Sequence, residues 1–201
     1  MIKQIVVFTF LTLTLLAKAN EFEDIKSQYF KSYDYEKVGR YSEAIKVLAP
    51  LYNKYPKGYT LNLRFGWLFF LDKKYNDAIK YYKKASLIKT MALEPKLGLT
   101  RVYLATYSYE KAEMISYEII RIDYYNYYAN LFAIKALIAQ KKYKPALSII
   151  RKMLVLYPTD VLFLEQLALV YKATNSPYLK QVYHDILILD PNNILVRSNF
   201  K

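Results

Sequence analysis

The hydrophobic residues of this chain recur at the spacing of an α-helix. Two neighbouring stretches between residues 131 and 154 each carry one apolar stripe, with an apolar residue every three or four positions. The first stripe is Leu131, Ile134, Leu137 and Ile138, and the second is Ala146, Ile149, Ile150, Met153 and Leu154. A short polar segment, QKKYK at 140–144, separates them. This pattern predicts pairs of amphipathic helices, each of roughly 12 to 14 residues, that pack antiparallel.

The pattern returns with a period of 34 residues. The pentapeptides YSEAI, YNDAI, YEKAE and YKPAL hold the same place in four successive periods. Their tyrosines are Tyr41, Tyr75, Tyr109 and Tyr143, and their alanines are Ala44, Ala78, Ala112 and Ala146. We divide the chain into five repeats, at 25–58, 59–92, 93–126, 127–160 and 161–194. The fifth is degenerate, because Lys180 replaces the alanine and Pro191 falls one place early, and we expect its turn to be one residue shorter.

These repeated positions predict close packing between the two helices of a pair. Alanine marks the place of closest approach, since a larger side chain there would hold the helices apart. The tyrosine lies three residues earlier on the same helical face, where it starts the second helix and covers the turn. The facing position of the first helix should also be small. Gly66 meets this requirement in the second repeat, whereas Ile134 does not in the fourth.

A 34-residue period with this alanine pattern resembles the tetratricopeptide repeat (TPR) family. The segment FGWLF at 65–69 matches the L-G-x-x-Y segment of the family, and Ala78 with Tyr82 matches its A-x-x-x-F segment. Prolines in the first and fourth repeats fall where the family ends its second helix. The resemblance covers residues 25 to about 194. It implies an all-α fold, namely a right-handed superhelical α-solenoid of about five antiparallel helix pairs.

The resemblance also implies a binding groove, because members of this family hold peptides on a concave face built mainly from the first helix of each repeat. Carried over position by position, the groove residues are Tyr29, Tyr33, Trp67, Phe70, Arg101, Leu104, Lys135 and Ile138. An aromatic half is followed by a cationic half, since Arg101 and Lys135 hold the same position in adjacent repeats. The asparagines of chaperone-binding members are missing, which argues against carboxylate tails of chaperones as ligands. Trp67 either anchors a partner side chain or packs between repeats.

The composition excludes several kinds of chemistry. The chain of 201 residues has no cysteine and one histidine, His184, which together cannot form a zinc site. No glycine-rich phosphate loop and no acid–base pair stands out. We therefore predict no enzymatic activity, no cofactor and no metal. The aromatic segment DYYNYYANLF at 123–132 could stack on single-stranded nucleic acid, but we interpret it as rings that plug an inter-repeat turn, and we predict no nucleic-acid partner.

The first residues have the three parts of a secretory signal peptide. Lys3 precedes an apolar run from Ile5 to Leu16, and Ala17-Lys18-Ala19 forms a cleavage site of small residues. The run of about 12 residues is shorter than the roughly 20 needed to cross a bilayer, although an uncleaved anchor is the alternative. We expect a signal peptide at 1–19, a short lead at 20–24 and a tail at 195–201, with the mature protein in a bacterial periplasm.

Two functions are compatible with these features. The first is an exported scaffold that binds a peptide segment or protein on its concave face, in cell-envelope assembly or secretion. The alternative follows from the formal charge of +13, which suits a protein that binds an anionic envelope polymer or a membrane surface. Peripheral association with the envelope is compatible with both. The run from Ile186 to Leu189 cannot bury every side chain on one helix, so we expect self-association through the fifth repeat.

The signal-peptide hypothesis makes a direct prediction. N-terminal sequencing of the protein from its native host should begin at Asn20, because cleavage is expected after Ala19. Intact Met1 in the exported protein would instead favour the membrane anchor.

Overall fold

The computed structural model describes residues 21–199, and all regular secondary structure within that range is helical. The chain divides into two compact units, the first ending at Thr90 and the second beginning at Met91. We describe each unit separately. The predicted signal peptide and its cleavage site lie outside the described residues.

Unit 1 contains two helix pairs. Helix α1 covers residues 21–37 and is followed by α2, Tyr41–Lys54; helices α3, Tyr59–Leu71, and α4, Tyr75–Ile88, form the second pair. The segment at 21–24 was predicted as a lead before the repeats, but it is helical. Its first described residue, Glu21, forms an ion pair with Lys54 at the end of α2, which ties this turn of α1 to the second helix.

Unit 2 contains the remaining helices of the described chain. They are α5, Glu94–Ala105; α6, Tyr109–Ile122; α7, Tyr127–Ala139; α8, Tyr143–Leu156; α9, Val161–Ala173; α10, Leu179–Leu189; and α11, Ile194–Arg197. Consecutive helices pack against each other, and α7 also contacts α5 and α9. The predicted tail at 195–201 overlaps α11, which buries Val196 in the core of this unit.

The repeated tyrosines and alanines lie where the sequence predicts. Tyr41, Tyr75, Tyr109 and Tyr143 are the first residues of α2, α4, α6 and α8. The four alanines, at 44, 78, 112 and 146, are completely buried. Ile134 is also completely buried, so the fourth pair accommodates a large side chain at the position that the sequence analysis expected to be small.

Gly66 is small because the second helix of its pair leaves no room for a side chain. A Cβ atom built on Gly66 would lie 2.7 Å from Cδ1 and Cε1 of the Tyr82 ring on α4. Tyr82 is one helical turn beyond Ala78 on α4 and is almost fully buried. The absence of a side chain on α3 therefore creates the space that this ring fills, and the two residues have to be considered together.

The turns within the helix pairs share a conformation that the residue types do not reveal. Five residues at intervals of 34 have positive φ angles: Gly39 (74°), Lys73 (57°), Tyr107 (58°), Lys141 (59°) and Asn175 (51°). Each stands two positions after the last residue of a first helix, which is where a left-handed residue commonly ends a helix. Glycine and asparagine tolerate this region, whereas lysine and tyrosine adopt it at a conformational cost.

The fifth repeat departs from the others after Asn175. Asn175 keeps the period of the left-handed residue, but α10 begins only at Leu179 and is shorter than the other second helices. Ile150 and Met153 are buried in the fourth repeat, and the equivalent positions in the fifth repeat would be 184 and 187. The residues buried there are instead Tyr183 and Ile186, one position earlier, and Lys180 is exposed. The predicted shortening of the turn is therefore wrong, because the segment that joins α9 to α10 is longer than in the other pairs, and the missing residue lies between Asn175 and the buried face of α10.

The apolar run near the chain end divides as expected between core and surface. Ile186 is completely buried beside Val196 in the core cluster of unit 2, whereas the Ile188 side chain is 78% exposed. Ile194 on α11 is 84% exposed. Self-association through this surface stays a prediction.

The aromatic segment at 123–132 is only partly a plug. Tyr127 packs edge-on against Tyr157 and Phe163, and its hydroxyl donates a hydrogen bond of 2.8 Å to Asp160, the N-cap residue of α9. Burial, and then this bond to a carboxylate, raises the pKa of Tyr127 to about 12. Tyr124, Tyr125 and Tyr128, by contrast, are about half exposed. The plug interpretation is thus supported for Tyr127 and stays a prediction for those three rings.

Substitutions at two equivalent left-handed turn positions should change the free energy of unfolding in opposite directions. Gly39→Ala should lower the free energy of unfolding by about 1 kcal/mol, since its Cβ would meet no atom within 4 Å and only the backbone is strained. Lys141→Gly should raise it by about 0.5 kcal/mol, because the left-handed cost is removed. Denaturant unfolding measures both. Lys144→Gly, inside α8, is the control and should destabilise by about 1 kcal/mol; equal losses from both lysine variants would contradict the turn assignment.

The contact between Gly66 and Tyr82 predicts an energetic coupling. Gly66→Ala should destabilise the protein by about 1–3 kcal/mol, because the buried ring cannot move away from the new methyl group. In a Tyr82→Leu background the same alanine should cost less. A double-mutant cycle by thermal or denaturant unfolding measures the difference, and strictly additive effects would show that the two positions do not share this space.

Candidate functional site

Unit 1 has a groove of about 550 Å³ between the exposed faces of α1 and α3. Seven residues line it: Tyr29, Tyr33, Glu36, Thr60, Leu63, Arg64 and Trp67. Three of them, Tyr29, Tyr33 and Trp67, are among the residues predicted for the groove. Phe70, the fourth predicted residue in this unit, stacks on the Trp67 ring at 5.7 Å between centroids and supports it from beside the groove.

A hydrogen-bonded ion pair forms the floor of the groove. The Glu36 carboxylate on α1 accepts a bond of 2.7 Å from Nε1 of Trp67 and is paired with the Arg64 guanidinium, both on α3. Nη2 of Arg64 also donates to Oγ of Ser32 at 3.0 Å. The guanidinium is almost completely buried, so this network joins the two helix pairs and neutralises the charges inside the groove.

The two tyrosines of the groove are held by their surroundings. The Arg64 guanidinium lies 3.9 Å from the centroid of the Tyr33 ring, which is a cation–π contact. Burial raises the pKa of Tyr29, although a hydrogen bond with Thr60 and the charge of Arg64 oppose the shift. The Tyr29 hydroxyl is therefore protonated at neutral pH and able to donate a hydrogen bond.

Glu36 and Arg64 were not among the residues predicted for the groove. Glu36 holds the same repeat position as Phe70, Leu104 and Ile138, so applying that position to the first repeat would have named it in place of Tyr29. Arg64 had a signal of its own, since it is the one charged residue in the apolar stretch of α3 and a buried charge needs a partner.

The predicted groove residues of unit 2 have less in common. Arg101 on α5 is half-buried, with its guanidinium 5.7 Å from the Phe132 ring centroid, and Lys135 on α7 is exposed. Leu104 is half-buried, and Ile138 packs against the core cluster of this unit. Ile138 is thus at least partly a packing residue. The positions as a binding site stay a prediction.

A second cavity, of about 640 Å³, lies between α9 and the end of the described chain. Hydrogen bonds between side chains cross it. Asn193 donates to Glu165 at 2.7 Å, and Lys172 contacts the side chain of Asn199. These bonds hold α11 against α9, so we interpret this cavity as part of the closure of unit 2.

Neither a metal-binding cluster nor a membrane-spanning helix is found among the described residues. No group of three histidine, aspartate or glutamate side chains within 21–199 is arranged to hold a metal ion. None of the helices in that range is both long and apolar enough to span a bilayer. His184 lies on α10 with its side chain exposed.

Comparison with known proteins identifies the fold. No protein-family model matches the chain, and no curated protein matches it in sequence. Solved structures do match. A tetratricopeptide repeat protein from Parabacteroides merdae ATCC 43184 has a TM-score of 0.77 at 18% identity, over 88% of this chain and 70% of that one. The chain has a TPR-like fold.

Two further structures extend this comparison. MamA from Desulfovibrio magneticus RS-1 has a TM-score of 0.71 at 13% identity, over 89% of this chain and 98% of that one. YrrB, described as a TPR protein with an unusual peptide-binding site, has a TM-score of 0.70 at 12% identity, over 92% and 96% of the two chains. The prediction of an all-α helical solenoid is confirmed, and at these identities the likeness concerns the fold alone.

The groove network predicts a large effect of a single carboxylate. Glu36→Ala should lower the free energy of unfolding by about 3–5 kcal/mol, because it leaves the Arg64 guanidinium buried without its counter-ion. It should also change the emission of Trp67, which loses its hydrogen-bond acceptor. The control is Glu23→Ala on the same helix, which breaks an exposed ion pair with Lys26 and should cost at most about 1 kcal/mol. Equal losses would contradict the buried pair.

Proposed function

We propose that this protein is a non-enzymatic interaction scaffold that binds a peptide segment or protein partner through its first helices. The observation that carries the proposal is the unit 1 groove, which is lined by three aromatic side chains together with Glu36 and Arg64. The opposite charges of Glu36 and Arg64 neutralise each other in an ion pair. Large rings held in place by neighbours are the side chains that most often dominate binding energy at protein interfaces. YrrB, with the same fold, has a peptide-binding site of its own.

The cellular setting that we propose is the bacterial envelope. The charged, apolar and small-residue parts of the first nineteen residues support export. An exported scaffold of this fold would serve envelope assembly or secretion by holding one component beside another. The partner would reach the groove from the periplasm.

The net positive charge supports a second candidate, which is binding to an anionic envelope polymer or membrane surface. The formal charge of +13 arises from 30 basic against 17 acidic residues. Attachment through many lysines would weaken steeply as salt rises, whereas contacts in an aromatic groove would change little. Salt dependence therefore separates the two candidates.

The test is capture of partners from an envelope extract by the mature chain. Trp67→Ala and Tyr33→Ala should each reduce capture about tenfold or more, at low and high salt alike. Phe30→Ala is the matched control, because this ring is also on α1 and exposed but does not line the groove. Arg101→Glu combined with Lys135→Glu tests the cationic positions of unit 2. Unchanged capture by the Trp67 and Tyr33 variants, with helical circular dichroism intact, would refute the groove.

A further inference from the structure

The unit 1 groove is complementary to an uncharged ligand. A ligand cation would find the Glu36 carboxylate already engaged by Trp67 and Arg64. It would also find the Tyr33 ring in contact with the Arg64 guanidinium. A ligand anion would find that guanidinium only 7% exposed and paired. Neither sign of charge gains a partner here, so charge complementarity favours a neutral segment.

The backbone around the groove offers such a segment no hydrogen-bond acceptor. The lining residues lie on α1 and α3, and carbonyls inside a helix are bonded to N–H groups one turn later. The carbonyl of Glu36, at the end of α1, accepts from the Gly39 N–H at 2.9 Å. An ordinary extended peptide would find no backbone acceptor for its own N–H groups here and only a few side-chain hydroxyls, and each N–H buried without a partner costs free energy.

The remaining polar groups on the groove wall are hydroxyls. The Tyr29 hydroxyl is hydrogen-bonded with Thr60 and stays protonated, and Tyr33 is about half exposed. Phenolic O–H groups can donate to ligand carbonyls. The wall thus combines apolar rings with donors, and it suits a ligand that presents carbonyls and apolar rings but few N–H groups.

We propose that the groove formed by Tyr29, Tyr33 and Trp67 binds an uncharged, proline-rich segment in the polyproline II conformation. Proline has no backbone N–H, its carbonyls point outward in this conformation, and its restricted chain loses little entropy on binding. A neutral sugar polymer would bring many hydroxyls, whereas Nε1 of Trp67 and both Nη atoms of Arg64 already donate to Glu36 or Ser32, and of these side chains' nitrogens only Nε of Arg64 has no partner. This proposal rests on the proposed function and names the ligand of the same site.

The experiment uses Trp67, the only tryptophan of the chain, as a reporter inside the groove. An Ala-Pro-Pro repeat peptide, blocked at both ends, is titrated into the full chain while Trp67 emission is followed. An Ala-Gly-Gly peptide of equal length is the control ligand. The proline peptide should shift the emission and bind about tenfold more tightly or better.

Variants localise the effect. Tyr33→Ala should weaken binding of the Ala-Pro-Pro peptide about tenfold, and Tyr29→Phe, which removes only the hydroxyl, should weaken it by a smaller factor. Phe30→Ala should leave it unchanged. Trp67→Ala and Trp67→Phe are measured by calorimetry, and the phenylalanine variant should retain part of the affinity. Circular dichroism shows whether each variant is folded.

The outcomes separate this inference from the proposed function. Equal affinity for the two peptides, or none for either, overturns the proline-rich ligand even where partner capture still depends on Trp67. A neutral oligosaccharide that shifts Trp67 emission when the proline peptide does not would replace the inference with a sugar site. Binding of the proline peptide that Tyr33→Ala and Trp67→Ala leave unchanged places the ligand elsewhere and also overturns it.

Discussion

The close approach of paired helices at completely buried alanines is the constraint on which the rest of the structure depends. Four alanines at intervals of 34 residues have no exposed surface, and each lies one turn into a second helix. Helices that approach so closely need small residues at the crossing, because packing at protein density leaves no room to adjust. The period of the chain is therefore the period of this contact.

Other features adapt to that contact. The turn between the helices of each pair has to reverse the chain in a few residues, and a left-handed residue does so at the same place five times. Lysine or tyrosine occupies three of these places, which shows that the turn geometry outweighs the conformational preference of the side chain. Volumes are likewise balanced between helices, since the Tyr82 ring fills the space that Gly66 leaves.

The groove of unit 1 follows from the same arrangement. Helices α1 and α3 both contribute to its lining, and the buried Arg64 side chain lies between them. A buried guanidinium requires a counter-ion, and Glu36 supplies it from the neighbouring pair. The pair also bonds to Trp67 and contacts Tyr33, so contacts within the unit hold two rings of the aromatic wall.

The sequence by itself determined the helical class, the period, the starts of four second helices and the burial of the alanines. These features are local and repeated, so the spacing of residue types is enough to predict them. Only the tertiary structure decided that Glu36 lies between Arg64 and Trp67, which are 28 and 31 residues away in the chain. It also decided the left-handed turns at Lys73 and Lys141, the ring that faces Gly66, the helical start of α1 and the displaced register of α10. The physical reason is that these depend on contacts between separate helices and on turn geometry imposed by packing, and a one-dimensional pattern of residue types encodes neither.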